Sequence, residues 1–343
     1  MKTEMKKNLT NLAKTLIFAV LFVSLFAWTR DVLRDKSHSQ ALDIILQQED
    51  DTYDVILAGP SHMQHAVHPA QLFGEYGIAA CNTSTAAQSI PTSYYVLREV
   101  IEKQDPELVV LDLFCMFYPE AYFSSARFHQ AIDNFPLSRN KLEAIYDLAY
   151  EDRAEFILDY LLYHERWKVL TEEDFTGTRY FQETYQLLEG VEVFPEPFTP
   201  VPVSETEPIP ELPLLYLKKI VELCRETDTR LLLTVIPYRA DVDNNDTSAL
   251  YQQRIFNAIA GYAEEWGVDY LNGLHYLEEM GFDFSTDMVE YSHVNGSGSY
   301  KVSAFYGRYL SEHYDLPNRA QDPAYTHWYD DYRSYLQALE AMQ

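Results

Sequence analysis

The sequence predicts an α/β fold: a three-layer sandwich around a five-stranded, flavodoxin-like parallel sheet of order 2-1-3-4-5. Three observations predict it. Short runs of consecutive apolar residues recur along the chain, as strands buried on both faces require. Amphipathic, helix-like stretches follow these runs. The first run ends in Gly-Pro-Ser-His, a strand-to-helix turn of the kind found at the carboxyl ends of such strands, where ligands bind.

Taken in order, the chain opens with Lys2, Lys6, Lys7 and Lys14, and then "TLIFAVLFVSLFAWT", Thr15 to Thr29, carries no charge. If Lys14 snorkels, Leu9 to Thr29 reaches the roughly 20 residues a bilayer needs. A cleaved signal peptide is the rival reading, but the small residues of an A-x-A site are missing before Trp28. Residues 1–30 therefore read as a transmembrane anchor. Arg30, Arg34 and Lys36 follow it, so the positive-inside bias is slight, and the rest of the chain is expected outside the cytoplasm. Residues 31–52, polar with a short helical patch "ALDIILQQ", read as a stalk.

The α/β domain is expected over 53–316. Its strands are "YDVILAG", "IAACNTS", "ELVVLDLF", "RLLLTVIP" and "VDYLNG", with Asp112 interrupting the third. The alternation breaks at 116–213, a mostly helical insertion. It ends in "FPEPFTPVPVSETEPIPELP", whose prolines forbid a helix or a central strand. After Asn295, Val302, Phe305, Tyr306, Tyr309 and Leu310 share one helical face. Residues 317–343, ending in "WYDDYRSYLQALEAMQ", read as a helical extension.

Composition excludes some functions. Acidic residues outnumber basic ones 53 to 26 and the net charge is −27, which repels a nucleic acid backbone. Cys81, Cys115 and Cys224 are an odd number without C-x-x-C spacing, so neither a disulfide framework nor a zinc site is expected. His62, His65 and His68 recur every third residue, but that spacing drifts around a helix and no fourth ligand is evident; no metal is expected.

Ser61 needs a base. "DMVEYSHVN" places His293 just before the last long helix, with Glu290 three residues earlier and Asp287 as the alternative acid. A carboxylate one turn away can hold the imidazole in the tautomer that accepts the serine proton. His62 adjoins the serine and either lines the pocket or braces the turn. "HERW" in the insertion offers Arg166 and Trp167 as pocket residues on a lid, or else a packed helix end bonded by Arg166. The 27 tyrosines suit carbohydrate stacking as well as ordinary packing.

With a serine after the first strand and an acid-x-x-His block before the last helix, the chain resembles the SGNH, or GDSL, hydrolase superfamily. "GPSHMQHAVHPAQLFGEYGIAACNTSTAAQSIPTSYYVLREVIEKQDPELVVLDLF" is similar to anchored, SGNH-like proteins of bacterial cell envelopes with a Gly-x-Ser-His motif. "FPLSRNKLEAI", "YHERWKVLTEEDF" and "HVNGSGSYKVSAFYGRYL" extend that similarity over most of the chain. The resemblance implies Ser61 as nucleophile, His293 as base and Glu290 in the acid position. Pro60 and Glu290 stand where the superfamily usually has Asp. The glycine and asparagine that complete its oxyanion hole have no counterparts in "NTSTAAQS" and "DLFCMFYPE", leaving the Ser61 N–H with Asn82, Ser84 and Gln88 as candidate donors.

The resemblance implies a serine esterase or acyltransferase working through a Ser61 acyl-enzyme on acyl esters of envelope glycans or related small esters. No cofactor is implied, and a membrane acyltransferase is the protein partner it suggests. The alternative is an inactive SGNH-like binding or assembly module in an envelope-modification complex.

Overall fold

Five short strands pair in parallel into one sheet of order 2-1-3-4-5, as the sequence predicts. The computed structural model describes residues 2–34, 40–150, 153–158, 160–176, 187–191, 203–239 and 247–342. In chain order the elements begin with α1 (Lys2–Leu33), α2 (Gln40–Gln47), β1 (Val55–Ala58), α3 (Ser61–Ala66), α4 (Pro69–Tyr76), β2 (Ala80–Asn82), α5 (Ile90–Gln104) and β3 (Leu108–Asp112). The expected insertion supplies α6 (Ser125–Ile132), α7 (Arg139–Leu148), α8 (Arg153–Ile157), α9 (Tyr160–Tyr163), a 3₁₀ turn at His164–Lys168, and α10 (Glu173–Thr176). The alternation resumes with α11 (Glu211–Glu226), β4 (Arg230–Val235), α12 (Thr247–Trp266), β5 (Asp269–Asn272), α13 (Leu277–Met280), α14 (Gly296–His313) and α15 (Trp328–Ala341). The first part of the proline-rich run, 194–202, lies outside the described residues.

The chain forms two compact units, each discontinuous in sequence: Met1–His38 with Glu151–Thr178, and Ser39–Tyr150 with Arg179–Gln343. The larger unit holds the sheet. Val55, Ile56, Leu57 and Ala58 are fully buried, as are Leu108 to Leu111, because helices cover both faces. Ser89 caps α5 by accepting from the Thr92 N–H, and Asn295 caps α14 by accepting from the Gly298 N–H at 3.1 Å.

Three segments show packing that the sequence does not specify. Residues 40–52, read as part of a stalk, dock on the larger unit: Leu42, Ile44 and Ile45 are buried, and the Gln104 side chain bonds the Glu49 carbonyl and the Thr52 N–H. The insertion divides. Its α7 packs on α5, where Asn140 donates to the Tyr95 carbonyl at 2.9 Å, whereas residues 153–176 belong with α1. The C-terminal extension joins the core, since Tyr335 is fully buried and donates to Gln71 Oε1 at 2.8 Å, and Arg319 holds Asp54 at the start of β1.

In the smaller unit, α1 includes a stretch, Lys7–Leu33, long and apolar enough to cross a membrane. Phe26 packs on Tyr160, and Trp28 on Phe175.

Candidate active site

β1 delivers its chain to Gly59, whose φ of +147° is open to glycine and strained for other residues. A Cβ there would also lie 2.9 Å from Asp112 Cβ, so β1 can turn beside β3 only without a side chain. Pro60 then sits extended at the N-cap and α3 begins at Ser61. The sharp turn leaves the Ser61 hydroxyl outside the sheet, with its own N–H in the first helical turn, where α3 itself supplies no acceptor.

The second half of the site is built by the loop before α14. Met288 and Val294 form an antiparallel bridge, and the Val289 N–H donates to the His293 carbonyl at 3.0 Å. This narrow loop turns Glu290 and His293 toward each other. His293 Nδ1 bonds Glu290 Oε1, and Ser292 Oγ braces the pair, donating to Glu290 Oε1 at 2.7 Å. Ser61 Oγ lies 2.7 Å from His293 Nε2 although 232 residues separate them. With the Nδ1 proton held by Glu290, Nε2 carries the lone pair that accepts the Ser61 proton.

Burial works against a charged Glu290, but the hydrogen bonds from His293 and from the Ser292 hydroxyl and N–H outweigh it and draw the carboxyl down to about 2. Glu290 is therefore a carboxylate at any physiological pH. Asp287 is fully buried and engaged otherwise, accepting from the Asp283 N–H, Ser297 Oγ and Lys301 Nζ at 2.7, 2.8 and 2.7 Å. It anchors the loop; the carboxylate on His293 is Glu290.

His62 stacks between Phe114, at 3.5 Å between ring centroids, and His293, at 4.9 Å. Burial, then the His293 and His65 charges, hold its pKa well below the usual histidine value, so it packs on His293 as a neutral ring. His65 meets His293 edge-on at 5.5 Å. His68 turns away: it occupies the N-cap position of α4 without a side-chain cap, and its ring packs on Tyr335. Beneath the turn, Asp112 accepts from the Ile236 N–H at 3.2 Å, and burial pushes its carboxyl up to about 7.

The candidate oxyanion donors fare unequally. Both Asn82 amide bonds run to the carbonyls of Met63 and Val67, so this side chain braces the far end of α3. The Gln88 amide donates to Ser93 Oγ at 3.0 Å. Ser84 Oγ, just beyond the carboxyl end of β2, is buried without a hydrogen-bond partner among the described residues. Arg166 lies in the smaller unit and closes a helix end, donating to the Leu33 and Arg34 carbonyls at 2.8 and 2.6 Å and to Asp174 at 2.8 Å. Trp167 beside it is exposed. A cavity of about 440 Å³ lies elsewhere on the larger unit, between residues 188–191, the start of α14 and α15; none of Ser61, Glu290 and His293 lines it.

Sequence reasoning missed Ser292, Phe114 and the ring contact of His65. The "YSH" string put Ser292 beside the base, and Phe114 directly follows β3, so both positions were visible; their contacts depend on tertiary folding.

The sequence matches no protein-family model and no curated protein. Among solved structures it is similar to a proposed acylhydrolase from Bacteroides fragilis, at 12% identity and a TM-score of 0.38, over 81% of this chain and 98% of that one. A likeness at that level assigns no chemistry to this chain.

Proposed function

We propose that the protein is a membrane-anchored, SGNH-type serine esterase or acyltransferase, acting outside the cytoplasm on acyl esters of cell-envelope glycans or related small esters. The observation that carries this reading is the line Ser61 Oγ, His293 Nε2, His293 Nδ1, Glu290 Oε1, whose spacing fits nucleophile, base and orienting acid. Support for the substrate class comes from the Gly-x-Ser-His resemblance and the apolar N-terminal helix.

In the proposed reaction Ser61 Oγ attacks the ester carbonyl as His293 Nε2 takes its proton. The imidazolium is held by Glu290 and packs on the neutral face of His62. The oxyanion takes a hydrogen bond from the Ser61 N–H and, where the acyl group reaches it, from Ser84 Oγ. Collapse expels the alcohol, which leaves with the proton from His293. Water or an acceptor hydroxyl then attacks the acyl carbonyl as it gives its proton to His293 Nε2, and the collapse that breaks the acyl-Ser61 ester returns that proton to Ser61 Oγ.

The engagement of Asn82 and Gln88 within the fold favours the second reading, an SGNH-like binding module with too few oxyanion donors to turn over. A serine-directed fluorophosphonate separates the two. Covalent labelling of the full chain that disappears in Ser61→Ala supports the enzyme; an unlabelled wild-type chain supports the module. Labelling that persists in Ser61→Ala overturns the assignment of the nucleophile.

A further inference from the structure

The smaller unit carries an apolar surface that the proposed chemistry does not use. In residues 153–176, Leu158, Leu161, Leu162, Trp167, Val169 and Phe175 all face solvent, an unusual density for a short segment of a water-facing protein. Their height along α1 is fixed by three contacts. Tyr160 packs on Phe26 at 5.3 Å and Phe175 on Trp28 at 6.5 Å. Arg166 binds the carbonyls of Leu33 and Arg34, which end α1.

These contacts hold 160–175 beside residues 26–34. If α1 crosses a bilayer from about Leu9, its rise of roughly 1.5 Å per residue brings Trp28 to the far edge of a hydrocarbon layer about 30 Å thick. Trp and Tyr collect at that edge, where one end of the ring is apolar and the other wet. We infer that residues 153–176 form an interfacial collar around the outer end of α1, with their exposed apolar side chains set into the hydrocarbon–headgroup boundary of the anchoring leaflet.

The partner is the lipid itself, through apolar contact rather than charge. Residues 153–176 contain Arg153, Arg166 and Lys168 against Glu155, Asp159, Glu165, Glu172, Glu173 and Asp174, so an anionic surface offers them no net attraction. The short helices need little affinity of their own, because α1 already holds them at the surface. Arg166, with Asp174 fixing its other nitrogen, is the positioning residue that ties collar to anchor.

The inference rests on the membrane-anchor reading, and its test keeps the two apart. The native cysteines are all buried, so single added cysteines can be labelled selectively with a polarity-sensitive fluorophore on the full chain in phosphatidylcholine vesicles. L162C, V169C and F175C probe the collar and V20C the anchor. In vesicles with brominated acyl tails, all four are expected to be quenched, and all four should resist aqueous iodide. V20C quenched with the collar positions unquenched and open to iodide overturns the collar and leaves the anchor standing. An unquenched V20C removes the anchor and the collar with it. Collar positions shielded in native membranes but unquenched in vesicles of the purified chain point to a protein partner and overturn the lipid assignment.

Discussion

Glu290 and Asp287 lie three residues apart on one loop, and their surroundings give them different work. Glu290 is part-exposed and bonds Nδ1 of His293, whereas Asp287 is sealed under the loop with Lys301 and Ser297. Glu290→Gln should then lower ester hydrolysis by up to about 10⁴-fold, the cost of holding the wrong imidazole tautomer. Asp287→Asn should spare the imidazole tautomer and act on stability alone, lowering it by about 1–3 kcal/mol because Lys301 and the Asp283 N–H lose a charged acceptor. The reverse pattern would make Asp287 the orienting acid. The pH dependence has a definite sign, because the Glu290 carboxyl falls from an ordinary 4.5 to about 2 on folding. Its stabilising contribution is present in full above about 4.5 and fades as the pH drops toward 2, so wild type and Glu290→Gln should converge in stability over that window. The contact between Glu290 and His293 was legible in sequence because a three-residue spacing within one loop is a local constraint, whereas the approach of Ser61 spans 232 residues and is set by the sheet. The loss of Asn82 and Gln88 as donors was not legible, since their carbonyl and hydroxyl partners are set by how α3 and the loop after β2 fold.

All five strands were legible: the central β1, β3 and β4 are mostly apolar because both their faces are buried, and the edge strand β5, Asp-Tyr-Leu-Asn, carries a weaker form of the same signal. Where the outer helices dock was less so. An amphipathic helix reads alike whether it covers its own domain or another protein, and α15 reveals its seat only through contacts with residues far away in sequence. At α4 the seat is close: a Cβ on Gly74 would lie 2.2 Å from the Tyr332 ring. Gly74→Ala should therefore destabilise the protein by about 1–3 kcal/mol, overpacking outweighing the helix-propensity gain that alanine brings to α4. Removing the ring as well, in Gly74→Ala with Tyr332→Ala, should recover part of that loss, since the two changes meet at one contact and do not add. Chemical denaturation of both single variants and the double variant measures the coupling. Simple additivity would mean that α15 does not sit on Gly74 in solution.

At the scale of the whole chain, the two units divide the work along boundaries that no local pattern marks. Ser61, His62, Glu290, His293 and the entire sheet belong to the larger unit, while α1 and residues 151–178 make up the smaller one. The insertion read from sequence as a single block at 116–213 hides that division, because 125–148 and 153–176 both carry short helices and differ in what they pack against. Removing α1 alone should thus be a poor way to make a soluble protein. It takes away Phe26, Trp28 and the carbonyls that Arg166 binds, leaving the apolar side chains of 153–176 with still more exposed surface. A chain lacking 1–38 is expected to elute as aggregates in size-exclusion chromatography without detergent. A chain that also has 151–178 replaced by a flexible Gly-Ser linker should elute as a single species, because closing a loop of that length adds little entropic cost and the larger unit keeps its own core. If Ser61 is the nucleophile, that species should still label with a fluorophosphonate. Aggregation of the doubly deleted chain, with monodisperse behaviour of the singly deleted one, would mean that residues 151–178 stabilise the larger unit rather than α1.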